Sequence, residues 1–83
     1  MALSVKLYTI STCIHCSALK KFLSDRGVKY EYLDVDLLTG DERETVVEEV
    51  RRFNPLCTFP TIIIADKVIV GFREPVVREA LGL

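Results

Sequence analysis

The sequence predicts an α/β fold in which a four-stranded mixed sheet is covered by three helices. Three observations carry that expectation. Short runs of period two alternate with longer runs of helical period, turn residues punctuate the junctions, and the last two strand-like runs lie only two residues apart, the length of a hairpin turn. The element order is βαβαββα, and a strand–helix–strand unit followed by a hairpin and a helix gives a sheet with both parallel and antiparallel pairs. The 83 residues are read as one domain, 1–83.

Each element has its own signal. Leu3, Val5 and Leu7 alternate with Ser4, Lys6 and Tyr8 in a first strand, and Ile10-Ser11-Thr12 then turns the chain. Ala18, Leu19, Phe22 and Leu23 recur at helical spacing, and Arg26-Gly27 closes that helix with a basic residue and a terminal glycine. Val28, Tyr30 and Tyr32 alternate with Lys29 and Glu31 in a second strand that continues through Leu33 towards Asp36. Thr39-Gly40-Asp41-Glu42 has the form of a capping box for the second helix, whose buried stripe is Val46, Val47, Val50 and Phe53. Asn54-Pro55 ends it, because proline disfavours a helical conformation in the residue before it. Two β-branched runs follow, Thr61 to Ala65 and Val68 to Val70, with Asp66-Lys67 between them. Pro75 opens the last helix, and Val76, Val77, Ala80 and Leu81 form its apolar face.

Composition excludes several classes. A chain of this length buries roughly 60 to 70% of the surface that it exposes when unfolded, enough to fold without structural staples. Nearly half the residues are hydrophobic, unlike a disordered segment. Eleven basic against twelve acidic residues give a net charge of −1 with no cationic stripe, so nucleic acid is not expected as a partner. Lys6 interrupts the amino terminus too early for a signal peptide, and no run reaches the ~20 apolar residues of a membrane span. A cytoplasmic protein is expected, with no membrane partner. In that compartment paired cysteines are more often catalytic or metal-binding than structural.

The chemistry centres on Cys13-Ile14-His15-Cys16, between the first strand and the first helix. A cysteine pair at the amino end of a helix reads as a dithiol redox centre, since the free amides and the helix dipole favour a thiolate there. Residues i and i+3 share a helical face, so the two sulfurs can approach bonding distance. Cys13, at the exposed end, is the expected attacking sulfur, and Cys16 resolves the mixed disulfide to leave a redox-active Cys13–Cys16 disulfide. His15 and Ile14 are the expected tuning residues. An imidazole ring among the amides can stabilise the Cys13 thiolate, and Ile14 offers an apolar contact surface. Competing readings are a closed structural disulfide, inert core thiols, a solvated His15 and a zinc site. Cys13, Cys16 and Cys57 with His15 number four ligands, but His15 lies between two of them on one turn, so no metal is expected. Cys57 reads as a small buried or half-buried apolar residue, with a regulatory or intermolecular disulfide or a glutathione-accepting thiol as the alternatives.

Together with Thr58-Phe59-Pro60-Thr61, about 45 residues after the pair, this arrangement resembles the glutaredoxin branch of the thioredoxin superfamily over essentially the whole chain. The resemblance implies a thioredoxin-like (glutaredoxin) fold and a cis peptide bond before Pro60. It also implies that Thr12, Thr58, Phe59 and Pro60 line a substrate-binding surface, where the Phe59 backbone can pair with an extended substrate as an added strand. Gly71-Phe72-Arg73 completes that expected surface. Glutathione-using members commonly carry a second glycine at the Phe72 position, and a basic residue where Ile10 stands. Gly-Phe-Arg is similar to NrdH-redoxins, which share the fold and behave like thioredoxins.

The resemblance implies an enzyme, a thiol–disulfide oxidoreductase reducing protein disulfides by dithiol exchange through Cys13 and Cys16. Its partners are disulfide-containing proteins and a reductase of the thioredoxin-reductase type, flavin- or ferredoxin-dependent, or glutathione. No cofactor is required in this reading, glutathione is a possible electron donor, and a monomer is expected. The alternatives are a glutathione-dependent glutaredoxin acting on mixed disulfides and a non-catalytic module that binds an iron–sulfur cluster or acts as an adaptor.

Overall fold

The computed structural model describes residues 4–83. Strand β1 (Val5–Thr9) leads into helix α1 (Ile14–Asp25), followed by strand β2 (Glu31–Asp34), a 3-10 turn (Val35–Leu37) and helix α2 (Gly40–Phe53). Strands β3 (Thr61–Ile64) and β4 (Lys67–Val70) and helix α3 (Glu74–Leu81) complete the chain. The sheet order is β2-β1-β3-β4, with β1 and β2 parallel and the other two pairs antiparallel. The mixed sheet with three helices is the thioredoxin-like arrangement expected from the sequence.

Because β1 is central, it has an apolar environment on both faces. Val5 and Leu7 join Leu19, Phe22, Leu23, Ile62, Ile64, Ile69 and Val77 in a core between the sheet and helices α1 and α3. Tyr8 points the other way, into a core with Val35, Val46 and Val50 beneath α2. Tyr8 alternates with the apolar residues of the strand, and its ring packs as strand aromatics commonly do, leaving it only 1% exposed. Its hydroxyl donates to Glu49 at 2.7 Å, which satisfies the buried oxygen.

The sequence-based boundaries need four corrections. Leu3 of the expected first strand lies outside the described residues, and the strand runs on through Thr9. Val28 and Tyr30 pack against the first core but precede β2. The reason lies in the end of α1: Gly27 has φ +69°, and the amides of Gly27 and Val28 bond to the Ser24 and Leu23 carbonyls at 3.1 and 3.0 Å. Val28's amide therefore closes the helix rather than entering a ladder. Thr39 is the N-cap of α2, but its hydroxyl makes no cap bond, because Gly40 opens the helix at φ +58° and redirects the chain. The hairpin turn is Ala65-Asp66, with Ala65 at φ +56° and Ile64 paired to Lys67. A two-residue hairpin needs a left-handed first turn residue, which moves Ala65 out of the strand.

Two helical stripes also rotate. Ala18 is exposed while Cys16 joins Leu19, Phe22 and Leu23 inside. Phe53 is 40% exposed, its ring 6.5 Å from that of Tyr8 at the edge of the second core. Leu19, fully buried, marks the inner face of α1. Leu19→Ala should lower the unfolding free energy by about 2–5 kcal/mol in urea titrations. Ala18→Ser, on the outer face, should change it by no more than about 0.5 kcal/mol.

Candidate active site

The strand register gathers the sequence motifs at one end of the sheet. Tyr8 pairs with Thr61 and Thr9 with Asp34, so the loop after β1, the loop before β3 and the end of β2 all leave the sheet together. Thr61 also pairs with Val70, and the Gly71 amide donates to the Pro60 carbonyl at 2.8 Å, which brings Gly71-Phe72-Arg73 to the same end.

Cys13 and Cys16 lie close together in unlike surroundings. Cys13 is the N-cap of α1, with extended backbone (φ −82°, ψ 123°), and its amide bonds to the Ile10 carbonyl at 3.1 Å. This leaves its partly exposed sulfur over the free amides of the first turn. The backbone N–H of Cys16 is the main cause that holds the Cys13 thiol below the ordinary thiol range, helped by the Cys16 thiol and by the His15 amide. Cys16 is completely buried, and burial pushes its thiol up to about 11. The Ile10 amide at 3.4 Å works against that rise. All three cysteines are free thiols here.

The two residues between the cysteines are outward-facing. Ile14, next to Cys13 in the chain, is 82% exposed. His15 is exposed, and its backbone amide hydrogen-bonds the Cys13 sulfur.

Two aspartates without a sequence signal, Asp34 and Asp36, pin the chain where β1 passes into the loop before α1. Asp36, in the 3-10 turn, accepts the Ser11 amide at 2.8 Å and the Ser11 hydroxyl, and these bonds hold its carboxyl below the usual range. Asp34 accepts the Thr9 hydroxyl at 2.5 Å and the Lys20 ammonium at 2.9 Å. Thr12 is exposed.

The Phe59–Pro60 bond is cis, as expected from the resemblance. Asn54, 1% exposed, organises this loop: its side-chain amide donates to the Thr58 carbonyl (3.1 Å) and hydroxyl (2.9 Å) and to the Thr61 hydroxyl (3.2 Å). Thr61 in turn donates to the Thr58 carbonyl at 2.7 Å. From sequence Asn54 read only as the end of α2, and a buried amide leaves no periodic signal that would have found it. Leu56, 79% exposed, is a further apolar residue on this loop. Cys57 is half-buried against the second core, with φ +50°. Phe72 turns inward, its ring 5.5 Å from that of Phe22, whereas Arg73 is exposed as the N-cap of α3. Among the described residues, no group of three or more His, Cys, Asp or Glu side chains could hold a metal ion, and no helix is long and apolar enough to cross a membrane.

The two thiols should therefore titrate far apart in the reduced protein. Thiolate absorbance, or the pH dependence of alkylation, should show one thiol ionising below the free-cysteine range and another near 11. Cys16→Ala should raise the Cys13 midpoint only in part, since the backbone amide that matters most remains. The stability signs are opposite. The depressed Cys13 pKa contributes stability that is present above the free-thiol range and lost as pH falls through its folded value. The raised Cys16 pKa contributes stability that is present below the free-thiol range and lost as pH rises towards about 11.

Comparison with known proteins agrees with this geometry. The glutaredoxin family model matches residues 5–69. The crystal structure of Methanosarcina acetivorans methanoredoxin superposes with a TM-score of 0.90 at 48% identity, covering 96% of this chain and 85% of that one. The glutaredoxin from Methanosarcina mazei Go1 gives 0.86 at 54% identity, covering 96% of this chain and 79% of that one. The glutaredoxin-like protein NrdH of Salmonella typhimurium is 29% identical over 93% of this chain and 88% of its own. By contrast, the chain spans only 28% of the length of Arabidopsis thaliana glutathione S-transferase Z2, to which it is 34% identical over 78% of its own residues. With its cysteine pair, cis-proline loop and sheet order in place, the chain belongs to the glutaredoxin family of thiol–disulfide oxidoreductases.

Proposed function

We propose that this protein reduces disulfides in other proteins, with Cys13 as the attacking thiol and Cys16 as the resolving thiol. The observation that carries the reading is the contrast between the two sulfurs: one partly exposed over helix amides, the other fully buried and held protonated. A thiolate is the nucleophile of disulfide exchange, so Cys13 attacks the substrate and forms a mixed disulfide. Cys16 is covered until then, which keeps it from reacting with solvent disulfides. Its attack on Cys13 releases the reduced substrate and leaves the Cys13–Cys16 disulfide.

Substrate contacts in this reading come from the apolar residues around Cys13 and from the cis-proline loop. Ile14 and Leu56 are mostly exposed. Among the described residues, none hydrogen-bonds the Phe59 amide or carbonyl, which leaves both available to an extended peptide. Thr12, Thr58, Gly71 and Arg73 complete the surface, whereas Pro60, expected to line it, is fully buried and acts by shaping the loop that carries Phe59. Phe72 supports it from below, because its ring lies against Phe22.

The electron donor in this reading is a thioredoxin-reductase-type enzyme, flavin- or ferredoxin-dependent, rather than glutathione. No prosthetic cofactor is needed, and the protein works as a cytoplasmic monomer. Gly71-Phe72 supports that preference, since a half-buried aromatic ring stands where glutathione-using relatives commonly have a second glycine. The glutathione-dependent alternative keeps one favourable group, the exposed Arg73, whose cation can meet a carboxylate.

Two experiments test the proposal. Cys16→Ser should accumulate a covalent substrate adduct on Cys13, and Cys13→Ser should accumulate none; an adduct on Cys57 would sink the assignment. In parallel assays, oxidised protein should be reduced faster by a thioredoxin-reductase system than by glutathione, and rapid turnover with glutathione alone would reverse the donor preference.

A further inference from the structure

Lys20 and Asp34 form a mostly covered ion pair that exchange between two sulfurs does not by itself require. Their side chains are 23% and 13% exposed, and ammonium and carboxylate lie 2.9 Å apart. The Tyr32 ring, with its centroid 4.0 Å from the ammonium, and the Thr9 hydroxyl on Asp34 fix the pair further. Holding a long cation out of water carries a desolvation penalty, so its location calls for a reason. Lys20 follows Cys16 by four residues on α1, which sets the two side chains on one helical face about one turn apart.

We propose that Lys20 is a positioning residue for the resolving step, a fixed positive charge that favours the Cys16 thiolate once Cys13 is held in a mixed disulfide. This rests on the assignment of Cys16 as the resolving thiol. The charged and titratable groups on α1 and on the elements flanking it at this end include Cys13, His15 and Lys20, with Tyr32 and Asp34 on β2, Asp36 in the 3-10 turn, Cys57 beside the cis-proline loop and Arg73 before α3. Asp36 is engaged by Ser11, and Asp34 by Thr9 and Lys20. Two charges act on Cys16 in opposite senses: a Cys13 thiolate raises its pKa and the Lys20 cation lowers it. When Cys13 becomes part of a mixed disulfide its negative charge is gone, while Lys20 stays in place. Cys16 then ionises more easily at the stage where its thiolate is needed.

The step balances without an added reagent. Cys16 loses its proton to water, and its thiolate attacks the Cys13 sulfur. The Cys13–Cys16 bond forms as the bond from Cys13 to the substrate sulfur breaks, and the substrate departs as a thiolate that takes a proton from water. Over both steps, two electrons pass from the protein dithiol to the substrate disulfide.

The test follows the two successive releases of thionitrobenzoate when reduced Cys57→Ser protein reacts with the corresponding aromatic disulfide under stopped flow. The first release reports attack by Cys13, and the second, absent in a Cys16→Ser control, reports attack by Cys16. Lys20→Met should displace the pH profile of the second release upward by about one unit, a roughly tenfold slower release at a given pH below the midpoint. Lys20→Arg should restore most of it. Lys20→Gln serves as a second neutral variant, with thermal unfolding followed in parallel to identify any variant that has lost its fold. A profile that superposes on that of the parent, or an arginine variant as slow as the neutral ones, would overturn the role of Lys20. An adduct mapped to Cys16 instead of Cys13 would overturn the assignment of the two thiols, a separate failure.

Discussion

Antiparallel pairing of β1 with β3 is the constraint on which the site depends. With Tyr8 opposite Thr61, the chain enters the cysteine loop and leaves the cis-proline loop at the same end of the sheet, although 43 residues separate Cys16 from Pro60. The parallel neighbour β2 and the hairpin partner β4 then deliver Asp34 and Gly71 to that end as well. A shift of one residue in the register would turn every strand side chain to the opposite face. The two cores forbid it, because Leu7 and Tyr8 must remain on opposite sides of the sheet.

Within that frame the two sulfurs differ by environment alone. Both are thiols at the amino end of one helix, Cys13 as its N-cap and Cys16 in its first turn, and both meet backbone amides. Burial separates them: Cys13 keeps contact with solvent and gains stabilisation of its thiolate from N–H groups, while Cys16 sits where a charge has little solvation. The division between attacking and resolving roles is therefore a property of where α1 begins relative to the sheet, not of the residue type.

The loops are held by polar side chains rather than by packing. Asp36 fixes Ser11, Asp34 gathers Thr9 and Lys20, and Asn54 ties Thr58 to Thr61. The Asp36–Ser11 and Asn54–Thr58 bonds reach loops outside regular secondary structure, where backbone ladders cannot provide the constraint, and the Asp34 bonds tie together the ends of β1 and β2 and helix α1 where those loops begin. Such bonds are worth most where water is excluded, which is the case at Asn54 and for much of the Lys20–Asp34 pair.

Sequence alone determined the element order, the site of the cysteine pair at a helix start, and the likeness of Thr58-Phe59-Pro60 to a cis-proline loop, since each rests on local periodicity or on a short motif. It placed the strand ends less well around Val28 and Ala65, where an amide already used by a helix end and a left-handed turn residue override β-propensity. Tertiary structure decided what depends on contacts between distant residues. Tyr8 is buried because α2 covers the second face of a central strand, Phe72 is a support because Phe22 lies beside it, and Cys16 is covered because α1 packs on the sheet. The Lys20–Asp34 pair and the Asn54 network belong to the same class. A charge or an amide has no period in sequence, and its function arises only when folding removes the water around it and fixes its partner.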